Sequence, residues 1–193
     1  MVLMGLDIGG AETHVVELSK ELARRGNEIV VASNGGVYTA ELEEAGIRHV
    51  CLPLNSRSIK KMYKSYRGLY KVIKNGNFDL VHAHARIPAF ICGLLKKRLK
   101  FRFITTTHWV FKTGPLLNLM TNWGERSIAV SEDIKTYLIE NYNIDPNHIT
   151  VTINGIDTTK FSPETTPGNI IEEFGFEEDK LRAVYVSRMD TDR

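Results

Sequence analysis

Cysteine is scarce in this chain, long apolar runs are missing, and acidic residues all but vanish from its middle third. Each absence excludes something. Two cysteines in 193 residues, Cys51 and Cys92, far apart and with no C-x-x-C spacing, rule out a disulfide framework of several bridges or a thiolate zinc ribbon. They are expected as reduced thiols on buried segments of a cytoplasmic protein. No apolar run approaches the roughly 20 residues that a membrane-spanning helix needs, and no basic n-region leads into an apolar h-region, so no signal peptide is expected. The chain contains no GxGxxG, which argues against a nicotinamide or flavin enzyme. Gly5 and Gly10 have the outer spacing of a P-loop, but Ala11 and Glu12 stand where Lys and Ser/Thr are required. Internal repeats and low-complexity stretches are absent too.

What is present is ordinary in bulk and uneven in detail. The composition, 42% hydrophobic and 25% charged with a net charge of +2, is that of a soluble globular protein. Residues 1–44 hold 8 acids and 3 Lys/Arg, whereas residues 45–124 hold 15 Lys/Arg against one acid, Asp79. Residues 125–193 return to 14 acids and 7 Lys/Arg. A strongly basic middle attracts anions: nucleic acid, phosphorylated substrates or an anionic membrane surface. No DNA- or RNA-binding motif accompanies the charge, so nucleic acid is not expected.

Short β-branched runs alternate with helical patterns. Strands are expected at 2–4, 29–32, 49–54, 80–83, 103–106, 128–130 and 149–153. Val15, Leu18 and Leu22 recur at helical spacing, with Gly26 placed as a C-cap. Thr39 is expected to cap a short acidic helix that stops at Gly46. An apolar stripe from Ile59 to Ile73 predicts a long helix with Gly76 beyond it. Residues 89–95 form another helix, and Ser131, followed by Glu132 and Asp133, caps a further one. Alternation of this kind predicts an α/β, doubly wound, Rossmann-like parallel sheet with helices on both faces. After residue 153 the pattern changes to loop chemistry broken by Pro163 and Pro167, then a short helix near 170–174 and one more strand at 181–187.

In open α/β sheets ligands bind beyond the carboxyl ends of the strands, and that rule gathers a list. Asp7, Gly9, Gly10 and Glu12 follow strand one. His82, His84 and Arg86 end strand four, His108 and Trp109 strand five, Ser131 strand six, and Asn154, Gly155 and Asp157 strand seven. Gly9 and Gly10 lead into a helix, where bare backbone amides can meet a phosphate; a plain glycine turn reads equally well. His82-Ala-His84 puts two imidazoles on one strand face, which invites a metal. No other ligand follows metal spacing, however, and the chain is short for the roughly 250-residue barrel that usually carries such a pair. No metal is expected. His84 then either lines a polar cleft or packs in the core. Between 57 and 74 lie Arg57, Lys60, Lys61, Lys64, Arg67, Lys71 and Lys74. They suit a solvated helix face or a basic amphipathic helix on an anionic membrane or phosphorylated acceptor.

With those residues in view, the whole chain resembles glycosyltransferase family 4, the retaining two-domain enzymes of the GT-B fold. GGAETHVVELSKELARRG from Gly9, DLVHAHARIP from Asp79, TTTHW from Thr105, SIAVSEDIKTYL from Ser127 and NGIDTTKFSP from Asn154 are similar to its signatures and stand in its order. The resemblance implies sugar transfer from a nucleotide-sugar donor to a sugar, glycan or lipid-linked acceptor, with retained anomeric configuration and no metal or other cofactor. Gly9 and Gly10 would lie against the donor's diphosphate and sugar, and His108 would face the transferred sugar as the catalytic-site residue. Glu12, His84, Arg86, Trp109, Ser131, Asn154, Gly155 and Asp157 would line the cleft.

The resemblance also sets boundaries. It implies an acceptor-side domain over 1–163, then a linker and the start of a donor-binding domain over 164–193. VYVSRMDTDR from Val184 is similar to that domain's opening, with Ser187 in place of a glycine and Arg188 matching a phosphate-binding arginine. On this reading the rest of the donor domain is missing, and the isolated chain folds but turns over little donor. The alternative is a non-catalytic module that binds anionic glycan or membrane. A cytoplasmic protein, peripheral to the inner membrane face, is expected, and a homodimer through exposed cleft surface is left open.

Overall fold

The computed structural model describes residues 1–111, 114–159, 161–164, 170–175, 180, 181, 183 and 185, without the side chains of 115, 116, 170 and 171. Contacts divide the chain into two compact units, Met1–Asn154 and Gly155–Arg193.

The first unit is built on parallel strands. β1 (Val30–Ser33) pairs with β2 (Arg48–Cys51), and β3 (Leu80–Ala83), β4 (Arg102–Thr107), β5 (Arg126–Ala129) and β6 (Ile149–Val151) form a second parallel group in that order. Residues 1–4 join the two groups, because Val2 bridges in parallel to Ala32 of β1 and Ala83 of β3. Val2 N donates to His82 O at 2.8 Å and His84 N donates to Val2 O at 2.9 Å. Chain order therefore runs outward in both directions from the N-terminal segment. That is the doubly wound arrangement, and its switch point lies beside β3.

Neighbouring residues of one strand serve opposite faces. Val31 and Leu3 belong to a core with Leu6, Val15, Val16, Leu42 and Ile47, which brings α1 (Gly10–Arg24) and α2 (Thr39–Glu44) onto one face. Ala32 and Val2 belong to the other core, with Leu69, Ile73, Val81, Ile91, Leu95 and Phe103. There α3 (Ile59–Gly76) and α4 (Arg86–Lys96) pack. Beyond them α5 (Pro115–Leu119) precedes β5, and α6 (Glu132–Tyr142) packs Ile134 and Leu138 on Ala129 and Ile149. Helices on both faces are thus observed.

The local chemistry of the helix ends is legible. Ser131 Oγ accepts from Ile134 N at 3.2 Å, with Glu132 and Asp133 in the first turn of α6. Gly26 and Gly46 take positive φ of 83° and 71° after α1 and α2. Several expectations need correction. Thr39 is the first residue of α2 and does not cap it; the N-cap position is Tyr38, which makes no side-chain cap bond. The chain enters this helix through Gly36 (φ 148°), where a Cβ would stand 2.3 Å from the Leu6 carbonyl carbon, so backbone geometry fixes the start. Gly76 is the last residue of α3, and Asn77 takes the left-handed turn at φ 47°. The Phe78 ring folds back over Gly76, where a Cβ would sit 2.2 Å from Cε2. Cys92 is buried, but Cys51 is exposed on edge strand β2. The stripe of α3 buries Leu69 and Ile73, whereas Ile59 and Tyr63 remain exposed.

In the second unit, Asp157 Oδ1 accepts from Thr159 N at 2.8 Å and from Thr159 Oγ1 at 2.6 Å, an Asx turn. α7 spans Ile170–Glu173. The expected strand at 181–187 falls largely outside the described residues, as do Ser187 and Arg188.

Candidate functional site

The carboxyl edge beside the switch point collects four imidazoles on the α1 face of the sheet. His82 and His84 alternate with Val81 and Ala83 of the opposite core, so strand geometry alone puts both rings on the α1 side. Their centroids stand 4.0 Å apart. His82 Nε2 lies 2.7 Å from Thr106 Oγ1. β4 delivers His108 one residue past its end, and His84 Nδ1 lies 3.2 Å from His108 Nε2, with the rings stacked at 5.4 Å. His14, one turn into α1, closes the group at ring distances of 5.0 Å to His108 and 5.9 Å to His84. Its side chain is hydrogen-bonded by that of Asn154.

Burial decides the charge of this cluster. His82 and His84 are 5% and 4% exposed. Loss of hydration, with help from neighbouring positive groups, pushes His82 down to about 3 and His84 well below the usual imidazole range. Burial, then the His14 ring, lowers His108 to about 4. His14 is lowered by burial, against which its bond to Asn154 works. All four are neutral at pH 7, and neutral imidazoles exchange hydrogen bonds with hydroxyls without adding charge. His14 is oriented by an amide and His82 by a hydroxyl. Neither partner is the carboxylate that orients the base of a hydrolytic relay.

The double-glycine loop adjoins this group. Gly9 is the extended N-cap of α1 (φ −175°, ψ 158°) and Gly10 its first residue. A Cβ on Gly9 would meet Glu12 Oε2 at 2.2 Å, so the Glu12 carboxylate folds back over the helix N-terminus, where acids are favoured. An anion arriving at those amides must displace it.

The other expected residues are placed separately. Trp109 is exposed. Arg86 donates to Tyr142 Oη at 2.9 Å and lies 4.7 Å over the Phe111 ring, and Ser131 Oγ is used as a cap. Gly155 and Asp157 belong to the second unit. His14 is the residue that sequence reasoning missed. Its signal was spacing: His14, Leu18 and Leu22 follow one another at intervals of four, so an imidazole continues the stripe toward the glycine loop.

Similar proteins agree with this layout. The N-acetyl-alpha-D-glucosaminyl L-malate synthase of Bacillus anthracis is 26% identical over 93% of this chain and 51% of its own length. The UDP-Gal:alpha-D-GlcNAc-diphosphoundecaprenol alpha-1,3-galactosyltransferase of Escherichia coli is 28% identical over 75% of this chain and 41% of its own. A solved glycosyltransferase structure from Rickettsia africae superposes with a TM-score of 0.79 at 26% identity, over 92% of this chain and 50% of that one. The chain thus spans about half the length of the relatives it matches. The profile of glycosyltransferase family 4 matches residues 8–160, most of the chain, and the chain belongs to that family.

Proposed function

We propose that this chain is the acceptor-side domain of a retaining glycosyltransferase that moves a sugar from a nucleotide-sugar to a phosphorylated, lipid-linked acceptor. The observation that carries the reading is the family match over 8–160 combined with the convergence of the glycine loop and four neutral imidazoles at one sheet edge. In this reading the α1 amides at Gly9 and Gly10 hold the donor's diphosphate, offsetting leaving-group charge without a metal. His108 faces the transferred sugar, and its neutral ring hydrogen-bonds a hydroxyl where a charged one would add a like charge to a developing oxocarbenium ion. Arg188 would add a phosphate contact, with the domain boundary near residue 163. Transfer of labelled sugar from a panel of nucleotide-sugars, followed by NMR of the product's anomeric centre, tests this. The assay uses this domain joined to a donor-binding domain, because the isolated chain is expected to turn over little donor. Retention, and a loss of about 100-fold in turnover for His108→Ala, is the expected result. An inverted product, or full turnover by the variant, overturns it.

A membrane-surface role for the same protein is favoured by α3. Lys60, Lys61, Lys64, Arg67, Lys71 and Lys74 are all exposed, and Ile59 and Tyr63 stand exposed among them. Among the described residues no helix is long and apolar enough to cross a membrane, so the attachment we propose is peripheral, at the inner face, from the cytoplasm. The E. coli relative's name includes a diphosphoundecaprenol, the chemistry such a surface would meet. Sedimentation with anionic vesicles should be strong at low salt and lost at high salt, and weakened in a Lys60→Glu/Lys64→Glu variant. Equal sedimentation with neutral vesicles would remove this part of the reading.

A further inference from the structure

We infer that Tyr137 is a positioning residue for the transfer reaction: its hydroxyl, reaching over from α6, fixes the backbone of the segment that carries His108. The inference rests on the reading of His108 as the residue facing the transferred sugar. The strand ladder ends at Thr107, which pairs with Ala129, so the backbone beyond it must find partners elsewhere. At Phe111 both polar backbone groups meet one side chain. Phe111 N donates to Tyr137 Oη at 2.9 Å, and Tyr137 Oη donates to Phe111 O at 2.6 Å. Phe111 belongs to none of the three apolar cores, so this bonding rather than core packing holds it. His84 holds the other end of the segment, with its Nδ1 at 3.2 Å from His108 Nε2. Three residues reach about 11 Å at most, so a segment tied at both ends leaves the His108 ring little range. Trp109 and Val110 between the ties are exposed, so fixing this span buries little apolar surface.

The hydroxyl is itself oriented by a chain of donors. A phenol has one proton to give, and Tyr137 spends its own on Phe111 O. Tyr142 Oη, 3.3 Å from Tyr137 Oη, is therefore the donor of that pair, and it accepts in turn from Arg86 Nη2 at 2.9 Å. Each proton then points one way, from Arg86 through Tyr142 and Tyr137 to Phe111 O, and hydrogen bonds in series strengthen one another. Burial first, and then the bond to Tyr137, push the Tyr142 phenol up to about 12, so it keeps the proton that this order needs. The Trp123 ring backs Tyr142 edge-on at 4.7 Å. The chain closes on itself, because the Arg86 guanidinium lies 4.7 Å over the Phe111 ring. Arg86, the first residue of α4, and two tyrosines of α6 thus grip one residue by its ring and by its backbone.

Tyr137→Phe removes the hydroxyl and keeps the ring. The test is steady-state kinetics of that variant, in this domain joined to a donor-binding domain. A fall of about tenfold in kcat with donor KM within about twofold is expected, with circular dichroism like the parent's. Tyr142→Phe, one link further back, should show the same split at a smaller size. In ¹H–¹⁵N spectra of the chain, Tyr137→Phe should shift the His108 ring nitrogens and speed hydrogen exchange at the Phe111 amide. Parent kcat in Tyr137→Phe, or His108 resonances unmoved by it, overturns the inference, and a loss of turnover in His108→Ala then leaves the reading of the site standing. Full turnover by His108→Ala fails that reading, and the inference with it.

Discussion

His82 shows how a single position carries both structure and chemistry. Its imidazole is buried, bonds Thr106 and lies against His84, so His82→Ala opens a cavity and strands a buried hydroxyl. The expected loss is about 2–3 kcal/mol, read as a lower urea midpoint; an unchanged midpoint would show that the ring is dispensable. The cluster also fixes the pH response. Unfolded histidines titrate near 6.5, whereas His108 and His82 are held at about 4 and about 3 by burial. Depressed folded values mean that the unfolded chain binds more protons in between. Stability is then complete above about pH 6.5 and falls as pH drops toward 4 and 3. Urea midpoints should fall between pH 7 and pH 5, and a flat profile contradicts this. At this scale the sequence was partly legible. Strand alternation put His82 and His84 together and the strand-end rule named His108, but neither reaches across to a helix, so His14 needed the fold.

Among the elements, the helix ends divide into those written in side chains and those written in packing. Ser131 was readable because its oxygen performs the capping itself, and Ser131→Ala should cost about 1 kcal/mol in urea unfolding. Gly36 was not readable, since its need arises from the Leu6 backbone passing beneath it. Gly36→Ala puts a Cβ against that backbone at φ 148°, and a destabilisation of about 2 kcal/mol or more is expected; wild-type stability in this variant would show that the turn relaxes freely. The short helix α5 went unnoticed, although Gly114 followed by Pro115 is a helix-start signal. The stripe of α3 predicted a helix correctly but not its exposed first turn, because periodicity marks a face without saying how far the sheet covers it.

The whole molecule's most informative feature is the N-terminal segment at the centre of the sheet. Its four residues are too few to read as a strand with much weight, yet their parallel bonds to β1 and β3 create the switch point that puts the glycine loop beside the imidazoles. Alternation of elements and the order of the family's signatures made the architecture legible, whereas this juxtaposition is a property of topology. The account's central claim is that the juxtaposed loop and rings receive the donor's diphosphate and sugar. The most direct measurement is a ¹H–¹⁵N NMR titration of the chain with a nucleotide-sugar. The account predicts saturable shifts at the Gly9 and Gly10 amides and the His14 and His108 rings, with none at Gly76 and Asn77 on the opposite edge. Shifts confined to that opposite edge, or none at millimolar donor, would contradict it.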